Sequence, residues 1–226
     1  MLLMKNNMTE LVFILDRSGS MSGFEADTVG GFNSVLEKNK KLDGDCRITT
    51  VLFDHEIKLL HDRVDIREVA PMKLSDFEPR GMTALCDATG MTIERMINLI
   101  RKSDEADRPD NVMFVIITDG AENASSKYSR TSVRKLIERQ RMVYDWQFLF
   151  LGANIDAEET AESMGISREF AATYDCEEEG TSVNFDTVCL AAQSVREEGR
   201  IAPSAMAPVR EHTEKVRRKR TFKPNR

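Results

Sequence analysis

Three short, mostly apolar runs constrain the fold of this chain more than any other feature. In chain order they are residues 10–16 (ELVFILD), 112–118 (VMFVIIT) and 146–151 (WQFLFL). Runs of this length that end in turn residues predict strands buried on both faces, as in a parallel sheet. Between and around them, apolar residues recur at helical spacing over 24–40, 83–102 and 130–143. This alternation predicts an α/β fold.

A hairpin is the exception to the parallel rule. Residues 46–53 predict a second strand, and 57–61 run back beside it after a short turn. We therefore expect a doubly wound, Rossmann-like, mostly parallel sheet with one antiparallel edge strand and helices on both faces. Ser129 is expected to cap the helix at 130–143. The remaining predicted elements are a helix at 156–164, a short strand near 169–173 and a helix that Thr181 caps and that runs to about 198.

The composition changes after Gly199, which divides the chain into a domain of residues 1–199 and a tail of residues 200–226. Residues 209–226 contain eight Lys or Arg and two Glu, a net charge of +6; because the whole chain carries −6, the remainder carries −12. An acidic domain argues against nucleic-acid binding by the domain itself. We expect a flexible basic tail with helical tendency around 209–219. It either serves solubility or binds nucleic acid or an acidic partner.

The bulk composition predicts a soluble protein. Of its residues 41% are hydrophobic and 31% are charged, and no stretch approaches the roughly 20 apolar residues of a membrane span. The start of the chain, MLLMKNNM, is too short and too polar for a signal peptide, so a cytoplasmic location is expected. The four cysteines lack CxxC spacing and are expected to be reduced thiols: Cys46, Cys86, Cys176 and Cys189.

Oxygen-bearing side chains stand where predicted strands end. Asp16 closes the first apolar run, and Ser18 and Ser20 follow it in the turn DRSGS. Asp119 closes the second run in VIITDG, and Thr83 opens a helix after a Gly-Met turn. Because the carboxyl ends of parallel strands meet at one edge of a sheet, we expect Asp16 and Asp119 to lie close together. A donor set of oxygens without nitrogen or sulfur favours Mg²⁺ over zinc.

These residues and their order resemble the metal-ion-dependent adhesion site (MIDAS) of von Willebrand factor A (vWA) domains. The resemblance covers residue 10 to about residue 198. It implies that the hydroxyls of Ser18 and Ser20 bind a divalent cation and that Thr83 supplies a third hydroxyl when a ligand is engaged. Asp16 and Asp119 would act directly or through ordered waters. Mn²⁺ and Ca²⁺ are the alternatives to Mg²⁺.

The resemblance also implies a function, which is to bind a partner protein through the metal. The open coordination position would accept an Asp or Glu side chain of that partner. The chain is most similar to bacterial cytoplasmic members of uncharacterised role, whose relatives often work beside AAA-type ATPases. No general base is evident near the site, so we expect no catalysis. A metal-dependent phosphoester hydrolase on the same fold is the alternative, and it rests on the carboxylate-rich site.

The remaining motifs give weaker indications of function. His61-Asp62 matches the metal pair of HD phosphohydrolases, but the chain has only three histidines, too few for such a site. Nucleotide binding is unsupported, because neither a GxxxxGK[ST] loop nor a GxGxxG sequence is present. Arg17 and Arg80 either attract an acidic partner or are solvated surface cations. Asp87 either interacts with the dipole of its helix or supports the metal site from outside.

Overall fold

The fold is a six-stranded sheet covered by helices on both faces. The computed structural model describes residues 8–174 and 178–221. Its strands are β1 (Met8–Asp16), β2 (Asp45–Phe53), β3 (Ile57–Asp65), β4 (Asn111–Thr118), β5 (Gln147–Ala153) and β6 (Ala171–Tyr174). Their order across the sheet is β3-β2-β1-β4-β5-β6, and only β3 runs antiparallel to its neighbour. The predicted fold class is confirmed.

Helices divide between the two faces of the sheet. They are α1 (Glu25–Asn39), α2 (Leu85–Lys102), α3 (Arg130–Tyr144), α4 (Ala157–Ser163), α5 (Glu178–Glu198) and α6 (Ala207–Thr221). The core between the sheet and α1, α5 and α6 includes Leu11, Phe13 and Leu15 of β1. The core on the α2, α3 and α4 side includes Val12 and Ile14. Because successive side chains of a strand point to opposite faces, one continuous apolar run supplies both cores.

The order of the strands along the chain reverses at β1, which with β4 forms the middle of the sheet. The chain leaves β1 for β2 on one side, and after β3 and α2 it crosses to β4 on the other side. In doubly wound sheets such a reversal opens a crevice at the carboxyl ends of the strands. Here the crevice lies between the ends of β1 and β4, where Leu15 pairs with Ile117.

Two element boundaries differ from the sequence prediction. Strand β3 continues to Asp65 instead of ending at 61, because its pairing with β2 passes an irregularity near Thr50 and then resumes. Thr181 lies inside α5 and does not cap it. The predicted cap of α3 is present, since the Ser129 hydroxyl accepts a hydrogen bond from the Ser132 N–H at 3.2 Å.

The segment after residue 200 is folded where the structure describes it, which corrects the expectation of a flexible tail. Helix α6 begins at Ala207 and packs on α5 and β6, with Val209 and His212 buried. The Thr213 hydroxyl donates to the Thr173 carbonyl of β6 at 2.7 Å, which ties α6 to the edge of the sheet. One narrow face of the helix, which carries Val209, His212 and Thr213, covers that edge, while most of its charged residues are exposed. The domain boundary at residue 199 stays a prediction.

The described cysteines are free thiols. Cys46 and Cys86 are buried, and burial raises the pKa of each thiol to about 12, so neither is reactive near neutral pH. Cys189 is half-buried and also free. Cys176 lies outside the described residues. Within residues 8–174 and 178–221, no helix has the length and apolarity that crossing a membrane requires.

Candidate metal site at the carboxyl edge of the sheet

Asp16 and Asp119 are neighbours where β1 and β4 end. Both are buried, with 1% and 3% of their surface exposed. The Asp119 N–H donates to Asp16 Oδ2 at 3.4 Å, and the Thr118 hydroxyl donates to the same oxygen at 2.6 Å. The two aspartates that the sequence assigned to one edge of the sheet are therefore neighbours there, in contact through the Asp119 backbone N–H.

Protein donors hold both carboxylate oxygens of Asp16. The Ser18 N–H donates to Oδ1 at 2.7 Å, on the opposite side from the Thr118 hydroxyl. Burial raises the pKa of Asp16, and these hydrogen bonds only partly oppose the rise. A carboxylate that is fixed in this way and costly to ionise is one that a nearby dication would stabilise in its charged form.

Ser18 and Ser20 bring their hydroxyls together on the turn that follows β1. The two Oγ atoms are 3.1 Å apart, and the turn is held by hydrogen bonds from the Arg17 N–H to the Phe53 carbonyl at 2.7 Å and from the Met21 N–H to the Ser18 carbonyl at 3.0 Å. Ligand oxygens in adjacent positions of an octahedral Mg²⁺ shell lie about 3.0 Å apart, from bond lengths of about 2.0–2.1 Å. The spacing of the two serines fits such a shell.

Thr83 reaches the same place from a different loop. It is buried just before α2, and its N–H donates to Asn123 Oδ1 at 2.8 Å while its carbonyl accepts from the Asn123 N–H at 3.1 Å. A Cβ built on Gly120 would lie 2.9 Å from Thr83 Oγ1 and 3.5 Å from Ser20 Oγ. Hydroxyls from two loops therefore converge beside Gly120, which leaves room for them because it has no side chain.

Two carboxylates fasten the loop between β4 and α3 to the start of α2. Glu122 accepts from the Cys86 N–H at 2.7 Å and from the Ser125 N–H at 2.8 Å. Asp87 accepts three backbone N–H groups of residues 126–128 at 2.7–2.9 Å. Burial opposes ionisation of Asp87, yet these donors lower its pKa. Asp87 thus binds a loop, a role that neither sequence interpretation included.

Sequence reasoning missed several residues that order the site. Asn154 follows β5 with a left-handed backbone (φ of 53°), and its side-chain amide donates to Asp119 Oδ1. Thr118 orients Asp16, and Asn123 orients Thr83, through the hydrogen bonds given above. Asn154 follows an apolar strand, FLFLGA, so its position at a strand end was a usable signal. Asn123 lies in a loop without a repeating pattern and gave none.

The two arginines near the site both pair with Asp54. Arg17 is buried, with 7% of its surface exposed, and its Nη2 is 3.2 Å from Asp54 Oδ2. Arg80 Nε donates to the same Asp54 oxygen at 3.0 Å, and its Nη2 pairs with Glu56. The interpretation of Arg17 as a solvated surface cation is therefore wrong, because its side chain is buried, whereas attraction of an acidic partner stays a prediction.

Among the described residues, one acidic and imidazole group has ligand atoms close enough to hold a metal. It consists of Asp54, His55 and Glu56, whose ligand atoms lie within 4.8 Å of one another. The ion pairs to Arg17 and Arg80 already neutralise its two carboxylates. A dication there would face two guanidinium groups, so the oxygen set beside Gly120 is the better metal site.

We predict that Gly120→Ala weakens divalent-metal binding. The new Cβ would lie 2.9 Å from Thr83 Oγ1, so the threonine hydroxyl must move away from Ser20. We expect the dissociation constant for Mn²⁺ to rise about tenfold, the scale for changes that disturb a ligand without deleting it. Isothermal titration calorimetry measures it. Gly30→Ala, on an open helix surface, serves as the control. An unchanged dissociation constant in Gly120→Ala would contradict the placement of the metal beside Gly120.

Comparison with known proteins identifies the fold. No protein-family model matches the sequence, and no curated protein matches it. The vWF domain of the type V pili tip protein Mfa5 from Porphyromonas gingivalis is 11% identical, with a TM-score of 0.59, over 86% of this chain and 98% of that one. The manganese-loaded TRAP protein of Plasmodium vivax is 17% identical, with a TM-score of 0.57, over 80% of this chain and 74% of that one.

A third similar structure is proximal thread matrix protein 1 from the mussel byssus, solved with a zinc-occupied MIDAS motif. It is 12% identical, with a TM-score of 0.57, over 82% of this chain and 48% of that one. This chain therefore spans about half the length of the mussel protein. Identities this low show a shared fold, and the chain accordingly has the fold of a vWA domain.

Proposed function

We propose that this vWA fold carries an intact MIDAS and works as a divalent-metal-dependent protein-binding module. The observation that carries the proposal is that hydroxyls from two loops converge beside Gly120, at the edge of the sheet where Asp16 and Asp119 are neighbours. The proposed site consists of Asp16, Ser18, Ser20, Thr83 and Asp119. Metal-loaded and zinc-occupied structures of the same fold support it.

The serines and the threonine are the direct ligands in this proposal. Ser18 and Ser20 would occupy adjacent positions, and Thr83 would supply a third hydroxyl. Asp16 already accepts hydrogen bonds on both oxygens, so it would hold water ligands and balance charge instead of binding the ion alone. Asp119 is anchored by Asn154 and would act in the same way. Mg²⁺ is the expected ion, with Mn²⁺ as its laboratory substitute.

The ligand chemistry defines the partner. Neutral hydroxyls leave the metal strongly electrophilic, and an Asp or Glu side chain of a partner protein would fill the remaining position. One such bond is weak, so the loops around the metal would supply specificity. Ser20 is exposed, and Met82, next to Thr83, has 55% of its surface exposed, so the rim offers both polar and apolar contacts.

We propose further that the site does not catalyse a reaction. Asp16 is engaged with three protein donors and Asp119 with Asn154, which restrains both as general bases. The hydrolase alternative predicts metal-dependent hydrolysis of p-nitrophenyl phosphate that disappears in Asp119→Ala. We expect no hydrolysis above that of free Mn²⁺.

Ser18→Ala tests the proposed function directly. It deletes a hydroxyl that is 3.1 Å from Ser20 Oγ, and we expect the dissociation constant for Mn²⁺ to rise at least about tenfold. Ser22→Ala is the matched control, because Ser22 lies on the same turn, is exposed and is not in the proposed ligand set. Calorimetric titration of wild type and both variants measures the difference.

Affinity capture then tests partner binding. A partner of the proposed kind is retained by wild type and by Ser22→Ala in Mn²⁺, and is lost with a chelator or with Ser18→Ala. Equal Mn²⁺ affinity of Ser18→Ala and Ser22→Ala would refute the metal site. A partner that is retained in the presence of chelator would refute the metal-dependent mode of binding.

A further inference from the structure

Asp54 is a fully buried carboxylate at the end of β2, one strand away from Asp16. Its exposed fraction is 0%, and Phe53, the residue before it, pairs with Asp16 across the sheet. Asp54 is absent from the proposed ligand set. A buried charge that is neither a ligand nor part of a helix cap calls for another explanation, because burying it is costly unless its partners compensate.

The partners of Asp54 come from both loops that carry the proposed hydroxyl ligands. Arg17 lies between Asp16 and Ser18, and Arg80 lies three residues before Thr83. Both guanidinium groups reach Asp54 Oδ2, at 3.2 Å from Arg17 Nη2 and 3.0 Å from Arg80 Nε. One carboxylate oxygen therefore joins the two loops.

Backbone hydrogen bonds run in parallel with this double ion pair. The Arg80 N–H donates to the Arg17 carbonyl at 2.9 Å, and the Gly19 N–H donates to the Gly81 carbonyl at 3.2 Å. The Ala84 N–H donates to the carbonyl of Asp54 itself at 2.9 Å. The relative position of the two loops, and with it the distance between the serine and threonine hydroxyls, depends on this junction.

Asp54 also balances charge. Arg17 is buried on the turn that carries Ser18 and Ser20, and its Nε is a buried atom without a hydrogen-bond partner. An uncompensated guanidinium there would repel a divalent cation strongly, because charges interact over longer range where water is excluded. Because the Asp54 carboxylate pairs with the Arg17 guanidinium, its negative charge offsets this repulsion.

We propose that Asp54 is a positioning residue for the metal site: it joins the Ser18–Ser20 turn to the Thr83 loop and neutralises Arg17 so that a dication can bind. This inference rests on the proposed function, because it concerns the same metal site. It also assigns the Asp54, His55 and Glu56 group a supporting role in place of metal binding.

Asp54→Asn tests the inference, since the amide keeps the shape of the side chain and removes its charge. We expect the dissociation constant for Mn²⁺, measured from the electron paramagnetic resonance signal of free Mn²⁺, to rise about 10- to 100-fold. Glu10→Gln is the matched control: Glu10 is equally buried and pairs with Arg63 at 2.9 Å, but it lies toward the opposite end of the sheet. Its Mn²⁺ affinity should equal that of wild type.

The double variant Arg17→Gln/Asp54→Asn shows whether Asp54→Asn loses affinity through its change in charge or through a disturbed fold. It restores neutrality, so we expect it to bind Mn²⁺ more tightly than Asp54→Asn does. Wild-type affinity in Asp54→Asn, or an equal loss in Glu10→Gln, would overturn the role of Asp54 while leaving the metal site in place. Failure of the wild-type protein to bind Mn²⁺ would overturn the proposed function, and this inference with it.

Discussion

Asp16→Asn should abolish Mn²⁺ binding and leave the metal-free protein as stable as wild type. The asparagine carbonyl can accept from the Ser18 N–H, as Oδ1 of Asp16 does at 2.7 Å. Its amide can donate to the Thr118 hydroxyl, whose own hydrogen can turn to the Gly120 carbonyl at 3.2 Å, and the one bond that loses its acceptor is the long one from the Asp119 N–H at 3.4 Å. Because burial raises the pKa of Asp16, folding disfavours its ionised form, and a neutral side chain relieves that cost at pH 7.

Thermal unfolding with and without metal measures this prediction. At a Mn²⁺ concentration of 100 times its dissociation constant, binding stabilises the wild type by about 2.7 kcal/mol. That stabilisation raises the unfolding midpoint by about 5–10 °C for a chain of this size. We expect no rise for Asp16→Asn and the full rise for Glu10→Gln on the same strand. An equal rise in Asp16→Asn would exclude this carboxylate from the metal site.

The ends of the strands were predictable because their physical signal is local. A strand that is buried on both faces must be apolar throughout, so the first polar residue after it marks the edge of the sheet. Asp16 and Asp119 follow such runs, and parallel topology then brings them to the same crevice. The structure places them 3.4 Å apart, measured from the Asp119 nitrogen to Asp16 Oδ2.

The supporting contacts were not predictable because each joins residues that are distant in the sequence. Asp54 meets Arg17 across the β1–β2 pairing, and Asn123 meets Thr83 across 40 residues. In the sequence Asp54 occupies a hairpin turn, where an aspartate needs no further explanation. Only the packed loops reveal that it is buried.

Helix α6 shows how a weak pattern hides an ordered segment. Its sequence is dominated by charge, which favoured a flexible tail. Val209, His212 and Thr213 contact the rest of the fold from one narrow face over little more than one helical turn, and Arg210 donates to the Glu169 carbonyl at 2.7 Å. The acceptor for the Thr213 hydroxyl is the Thr173 carbonyl of β6, and nothing in the sequence of α6 predicts that partner.

The second large effect that we expect is on stability. It arises where α1 packs against α5, at the adjacent glycines 30 and 31. The close contact of this pair is between Gly31 and Phe185 of α5. A Cβ on Gly31 would lie 2.0 Å from the Phe185 ring, which is buried with 3% exposure, whereas a Cβ on Gly30 would meet nothing within 4 Å. We therefore expect Gly31→Ala to separate the two helices and lower stability.

Gly30→Ala and Gly31→Ala make the same chemical change one residue apart, so their difference isolates the packing cost. Both gain about 1 kcal/mol of helix propensity, which should make Gly30→Ala more stable than wild type. At Gly31 overpacking costs about 1–3 kcal/mol, so the free energies of unfolding of the two variants should differ by that amount in urea titrations. Phe185→Leu, which shortens the obstructing ring, should recover part of the loss in the Gly31→Ala background. Equal stabilities of the two alanine variants would mean that α1 and α5 do not pack as closely as the ring position requires.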